Sequence, residues 1–463
     1  MSVSPACSQA VALPEIVAAI LDQLHGAKAL FAALLVNRLW AAEATRLLWR
    51  VDPPVMALAH IKDAKRLQYY ADKITSLDLL GGKDGWKSRF ILQGLRFPRL
   101  NQVIMKAPSS KDEQMFLQYL QPELRILQCG RGPVSDFYLM QIQGRCPALR
   151  SLSLRCQLST ITGNGLLQFL NGMPSLTTIR LGGRWKCTIS DEVFFHLASR
   201  PNLDTLQISA QNITPNLIKR MQKAVDQPFP GLSHLSCFSQ SEAFRQFSRH
   251  LSKLTNLHLD LLDIASNTFH DLCSCTSLVS LALDFSYCSR FDANSHIPPE
   301  GLLALAKSCT HLQSLSVMHS SLSEPNDSGI TNITDDVIKE FVALLPGLSC
   351  FRLRIKTNLT HRVLRVLGEG CADLKICSID GKHLDLRLLG GDGPVLFPQL
   401  VCLEIESTEE SLSAAMAAEI LHHHAPRVNR LGFGKSRRFD WEFYEKMQEL
   451  ERRDEARSLD QIL

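Results

Sequence analysis

Three features of this 463-residue sequence have residue types that could do chemistry: fourteen cysteines, a histidine run at 422–424, and glycine-rich tracts beginning at Gly81 (GGKDG) and Gly390 (GGDG). Paired cysteines two residues apart would hold zinc or exchange disulfides. No CxxC pair occurs; only Cys7 precedes residue 100, and the others are scattered. Their simplest use is as small buried apolar side chains. Unclustered cysteines suit a reducing compartment, the cytosol or nucleus. Consecutive residues on a helix point about 100° apart, so His422, His423 and His424 do not converge on one ion. GGKDG lacks phosphate-loop spacing, and GGDG reads as a turn between repeats. No GxSxG elbow, HExxH pair or kinase set is present. The expectation is a chain with no catalytic residues, no metal and no cofactor, whose chemistry is recognition.

The elements that would present such recognition repeat along the chain. The pattern apolar-x-x-apolar-x-apolar begins at Ile74, Leu100, Leu124, Leu149, Leu176, Leu203, Leu232, Leu254, Leu278, Leu312, Leu348, Leu374, Leu400 and Val428. The first and last copies start 354 residues apart, about 27 per interval, with long intervals of 34 and 36 residues after Leu278 and Leu312. After each triplet the apolar period changes from two to between three and four, as in ITGNGLLQFLNG, ISDEVFFHLAS, ITDDVIKEFVALL and LTHRVLRVLGEG. Thr162, Ser190, Thr334 and Thr360 stand where helix N-caps would. A strand followed by a helix, repeated, predicts a β-α solenoid whose triplets stack into one core.

These units resemble leucine-rich repeats, and CPALRSLSL, CTSLVSLAL, CTHLQSLSV and CADLKICSI resemble the cysteine-containing class, with Cys146, Cys275, Cys309 and Cys371 just before the strand. Units beginning MPSL, RPNL, FPGL or LPGL depart from that class. The resemblance implies an α/β, ribonuclease-inhibitor-like horseshoe. Strand residues two, four and six after each first leucine would then face the concave side. The candidate target-binding residues are Arg155, Arg180, His258, Asp260, Asp284, Met318, Arg352 and Arg354, with Asp380, Glu404 and Glu406 on the same face. The signs alternate, which suits a protein partner; a merely solvated face is the alternative. The long intervals place polar loops at 284–301 and 318–332, and that rim is expected to touch the target, so that deleting 322–331 removes capture and spares the fold.

Residues 13–50 differ. Ile16, Ile20, Leu21, Leu24, Leu30, Leu34, Leu35, Leu39, Trp40, Leu47 and Leu48 have helical spacing, broken near His25-Gly26. Pro14 and Glu15 suit a first helical turn. The pieces LPEI from Leu13, Ile20-Leu21, Leu24, LVNRLW from Leu35 and LWR from Leu48 resemble an F-box, in the style of fungal members of that family. The resemblance implies docking on a Skp adaptor, and through it on cullin and RING subunits, by Leu13, Pro14, Ile16, Ile20, Leu21, Leu24, Val36 and Trp40. An F-box joined to leucine-rich repeats implies the substrate receptor of a ubiquitin ligase with an unidentified target. Two other readings stay open: a leucine-rich-repeat scaffold whose residues 13–50 are a solenoid cap, and an enzyme or small-molecule receptor using the concave face.

The expected organisation is a flexible stretch at 1–12, the F-box-like segment 13–50, a helical linker 51–72 begun at Pro53-Pro54, repeats over 73–434, and a cap helix with a frayed tail over 435–463. A hydrophobic fraction of 45% and a charged fraction of 21% suit a folded chain. Fifty Lys and Arg against 46 Asp and Glu give a net charge of +4, too balanced to imply nucleic acid or an anionic membrane as partner. No apolar run approaches the roughly 20 residues of a spanning helix, and the first residues lack the basic start and apolar core of a signal peptide.

Overall fold

A computed structural model describes residues 13–24, 26–53, 55–80, 90–106, 116–130, 132, 134–155, 161–182, 189–263, 265, 267–286, 288, 297–319, 332–355, 357–380, 386–389, 393–406, 413–432 and 437–462. The chain divides into two compact units, Met1–His196 and Leu197–Leu463. The division falls among the repeats, inside the helix Asp191–Ser199.

The first unit begins with helices α1 (Pro14–Asp22), α2 (Ala27–Ala33) and α3 (Arg38–Arg50). Gly26, at φ 106°, turns the chain between α1 and α2, a conformation costly for any residue with a side chain. Asn37 caps α3, its Oδ1 accepting the Trp40 N–H at 2.9 Å. Val17, Leu21, Ala33 and Ala44 form a small core, flanked by Leu30, Leu34, Leu39, Trp40 and Leu47. An ion pair of 3.5 Å between Asp22 and Arg50 joins the ends of α1 and α3.

The linker is not one helix. Val51 pairs with Ser76 in an isolated parallel bridge. A 3-10 turn follows at Val55–His60, then α4 at Ala64–Ala71. Pro53 fixes φ and lacks an N–H, and Asp52 before it sits at φ 41°, so the helix stops at Arg50. Trp49 packs on Tyr70 with ring centroids 4.6 Å apart. The Thr75 N–H and hydroxyl both donate to the Arg50 carbonyl, at 2.8 and 2.9 Å. The three helices are thereby tied to the first strand through direct contacts.

The repeats of the first unit supply β1 (Ser76–Asp78), β2 (Gln102–Lys106), β3 (Ile126–Gly130), β4 (Ser151–Arg155) and β5 (Thr178–Gly182). Those of the second supply β6 (Thr205–Ile213), β7 (His234–Ser239), β8 (Asn256–Leu261), β9 (Ser280–Asp284), β10 (Ser314–Met318), β11 (Cys350–Arg354), β12 (Ile376–Asp380), β13 (Cys402–Glu406) and β14 (Arg430–Gly432). Within each unit the strands pair in parallel and in chain order. Parallel neighbours need a crossover, which in most repeats a helix supplies. Each expected triplet meets one of these strands, and its apolar side chains are buried among the described residues: Leu281, Leu315 and Phe351, in register on β9, β10 and β11, expose no surface. Phe433 of the last triplet lies outside the described residues. Each unit is an α/β solenoid of the leucine-rich-repeat kind.

Bonds between repeats fix the register. The Asp136 carboxylate accepts the N–H and hydroxyl of Thr162, one repeat on, at 2.9 and 2.8 Å. Asp335 takes Thr360 in the same way, at 3.0 and 2.5 Å. Thr162 caps Gly163–Gly172 by accepting the Gly165 N–H, and Ser190 accepts that of Val193. Thr334 makes no side-chain cap bond, and Thr360 stands one residue before the cap position, held by His361. Two features depart from expectation. β6 runs long, with a register shift against β7 between Ile208 and Asn212. The C-terminal stretch is one helix of 26 residues, Arg437–Ile462, and not a short cap with a frayed tail. It docks through buried Phe443 and Met447, while the Tyr444 hydroxyl accepts the Leu431 N–H at 3.0 Å.

Candidate functional site

Among the described residues, many of the cysteines and two histidines of the 422–424 run are occupied structurally. Burial pushes the thiols of Cys146 and Cys309 up to about 12, those of Cys275 and Cys371 up to about 11, and those of Cys237 and Cys377 higher still. A thiol that stays protonated is neither nucleophile nor metal ligand. Instead Cys275, Cys309 and Cys371 direct Sγ at backbone carbonyls of the preceding repeat, those of Ser248, Cys275 and Leu345, at 3.9, 3.4 and 4.0 Å. The His423 Nε2–H donates to the Gly393 carbonyl at 2.6 Å, and buried His424 donates from Nδ1 to that of Pro394 at 3.2 Å. Among the described residues no group of three His, Cys, Asp or Glu is placed to hold a metal, and no helix is long and apolar enough to cross a membrane. The GGKDG tract and Gly390 to Asp392 lie outside the described residues.

Two surfaces remain. The first is on α1. Leu13, Ile16, Ile20 and Leu24 are spaced three, four and four residues apart, so they form one stripe, and all four are exposed, Leu13 by 51%. Pro14 and Val36 are exposed as well. Two of the candidate adaptor residues stand elsewhere. Leu21 is 1% exposed and belongs to the three-helix core, so it positions the stripe and presents nothing itself. Trp40 is half-buried against that core, its indole N–H enclosed. Phe31, and Leu35 at 88% exposure, were missed as surface residues. The sequence PEIVAAILD is apolar on more than one side, so periodicity alone did not separate the inward pair Val17 and Leu21 from the outward Ile16 and Ile20. Their spacing of four within each pair was the available signal.

The second surface is the sheet face turned away from the helices. In the first unit Arg155 is exposed at the end of β4, and Arg180 on β5 is half-buried in register with Ser153. In the second unit the remaining candidates fall into two lines across the strands. His258, Ala282, Ser316 and Arg352 are successive register partners; so are Asp260, Asp284, Met318 and Arg354. The His258 Nε2 lies 3.6 Å from the Asp260 carboxylate. Burial raises the Asp260 pKa above the usual carboxylate range; His258 opposes that shift and Asp284 adds to it. The Asp284 carboxylate accepts the Ser286 N–H at 2.8 Å. Of the expected rim loops, residues 289–296 and 320–331 lie outside the described residues.

No family model matches the chain, and no curated protein matches it. Among solved structures it is similar to the crystal structure of the Rad7 and Elc1 complex in yeast, with 14% identity, 94% of this chain and 99% of that one covered, and a TM-score of 0.47. It is similar to the Toll–Spatzle complex of Drosophila, with 12% identity, 77% and 43% covered, and a TM-score of 0.41. An internalin from Listeria monocytogenes gives 13% identity, 85% and 92% covered, and a TM-score of 0.31. The assignment of the fold rests on the repeat register described above.

Proposed function

We propose that the chain is a substrate receptor of a cullin–RING ubiquitin ligase: residues 13–50 dock on the Skp adaptor as an F-box does, and the open sheet face of the repeats holds a target protein. The observation that carries this reading is the exposed stripe Leu13, Ile16, Ile20 and Leu24 on a segment whose own core is already filled. Covering a leucine or isoleucine contributes roughly 1.5–3 kcal/mol, so a contiguous apolar stripe in water signals a partner. Its spacing suits a helix laid into a hydrophobic groove. The contacts that tie α3 to β1 limit swing between the docking helices and the first repeats, which suits a device that must hold a target at a set distance.

The test is titration of the purified chain with the purified Skp adaptor, beside the triple variant Leu13→Ala/Ile16→Ala/Ile20→Ala. The expected result is a complex with the unaltered chain and none with the variant, at an unchanged melting midpoint because all three side chains are exposed. A well-folded chain that ignores the adaptor would make residues 13–50 an end cap and the molecule a repeat scaffold.

A further inference from the structure

The open face of the second unit separates its charges by position. Asp260 on β8 and Asp284 on β9 are register neighbours. Among the described residues, neither lies within ion-pair distance of a lysine or arginine; Asp260 has His258 at 3.6 Å, charged only when protonated. Next along come residues with little or no charge: Ala282 on β9, then Ser316 and Met318 on β10. Arg352 follows on β11, half-buried and without an ion pair among the described residues. The face thus reads acid pair, neutral floor, base.

Strands lie about 4.8 Å apart and residues about 3.3 Å apart along them. Arg352 lies two residues back from the line of Asp260 and Asp284, so the midpoint of the acid pair stands about 14 Å from it on a diagonal across the strands. A peptide lying extended across the strands advances about 3.3 Å per residue and turns alternate side chains to one side. Residues i and i+4 of such a peptide are about 13 Å apart on the same side, with i+2 midway. We infer that this face recognises an extended protein segment carrying a cation and an anion four residues apart with an apolar residue midway, the cation over Asp260 and Asp284, the apolar side chain over Ala282 and Met318, and the anion on Arg352. The half-buried Asp260, 16% exposed in its side chain, is where a cation meets the least competition from water. Small side chains at 282 and 316 leave room for a backbone to lie close. The inference rests on the reading of the open face as the capture surface, and it is independent of adaptor docking.

The experiment measures binding of the full-length chain to fluorescent peptides with a Gly-Ser background bearing Lys, Leu and Glu at positions i, i+2 and i+4, in both chain directions. Controls move Glu to i+3 or i+5, or replace Lys or Glu by Ala. In one direction the matched peptide is expected to bind about tenfold tighter than each control, about one charge pair's worth. Asp260→Asn/Asp284→Asn should abolish the preference for Lys and keep that for Glu; Arg352→Gln should do the reverse; Arg352→Glu should turn the preference at i+4 from Glu to Lys. Equal binding of all spacings, no binding of any peptide, or variants that leave both preferences unchanged would overturn the inference. A chain that shows these preferences but ignores the Skp adaptor supports the inference and removes the ligase reading.

Discussion

The three N-terminal helices and the repeats put the same side chains to opposite use. In the repeats, the triplet leucines go inward: the triplet positions of β9, β10 and β11 are buried, and apart from Met318 what faces out on these three strands is charged or small. On α1, Leu13, Ile16, Ile20 and Leu24 face out, over a core of only Val17, Leu21, Ala33 and Ala44. A repeat is covered by its neighbours, so its apolar face has no need of a partner. The helical segment is too small to hide all its apolar surface. Stability and recognition therefore draw on different residues in the two regions, and substitutions separate them.

The largest effect is expected inside the repeats. Phe351 is fully buried between Leu315 and Cys377 in register, with the Phe341 ring 6.1 Å away. Phe351→Ala should cost about 3–5 kcal/mol, the lost transfer energy plus a cavity that stacked strands cannot close. Denaturant unfolding followed by circular dichroism reads this directly. A loss below about 1 kcal/mol would mean that the repeats are packed far more loosely than the register implies.

A smaller and sharper contrast lies between two adjacent residues of α1. Leu21→Ala should cost about 2 kcal/mol or more from a core of four residues, seen as lost hydrogen-exchange protection across residues 14–50. Ile20→Ala should stay within about 0.5 kcal/mol of the unaltered chain in stability and weaken adaptor binding. Similar protection loss in both variants would dissolve the distinction between core and stripe.

That contrast marks where the sequence stopped being legible. The fourteen triplets located all fourteen strands because a spacing of three then two in Leu and Ile maps directly onto which strand side chains are buried. The open-face candidates followed from the same alternation. Nothing comparable governs α1, where Ile16, Val17, Ile20 and Leu21 are chemically alike and only the packing of Ala33 and Ala44 against one pair decides the inside. The linker misled because helical spacing around Tyr69 and Tyr70 was extended back to Pro53-Pro54, over residues that form a 3-10 turn at Val55–His60. The tail looked frayed because its charge is high, yet Glu449 pairs with Lys446 and Arg453 at 3.0 and 2.9 Å along one helix face. The β6 register shift has no counterpart in the apolar pattern. Which carboxylates on the sheet have an arginine or lysine beside them is a matter of three-dimensional neighbours, so Asp260, whose ion-pair partner is His258, looked no different from Glu404, which has Arg430 within 3.9 Å.

The smallest effect tests whether the open face bears a cost comparable in kind to the exposed stripe. The folded chain holds the Asp260 pKa above its unfolded value, about 3.9 for an aspartate, first through burial and then through the Asp284 carboxylate. Below the unfolded value both states carry the proton and the group contributes nothing to the balance. As pH rises, the unfolded chain releases its proton first while the folded chain retains it, so stability falls until the folded pKa is passed. At neutral pH the full penalty stands. Asp260→Asn should therefore match the unaltered chain in melting midpoint under strongly acidic conditions. It should then gain on it through the carboxylate range and remain slightly more stable at neutral pH. A variant less stable at neutral pH would show that the carboxylate is already satisfied within the fold. The sheet face would then resemble the repeat core in serving stability, and only α1 would display groups held against their own preference for a partner to relieve.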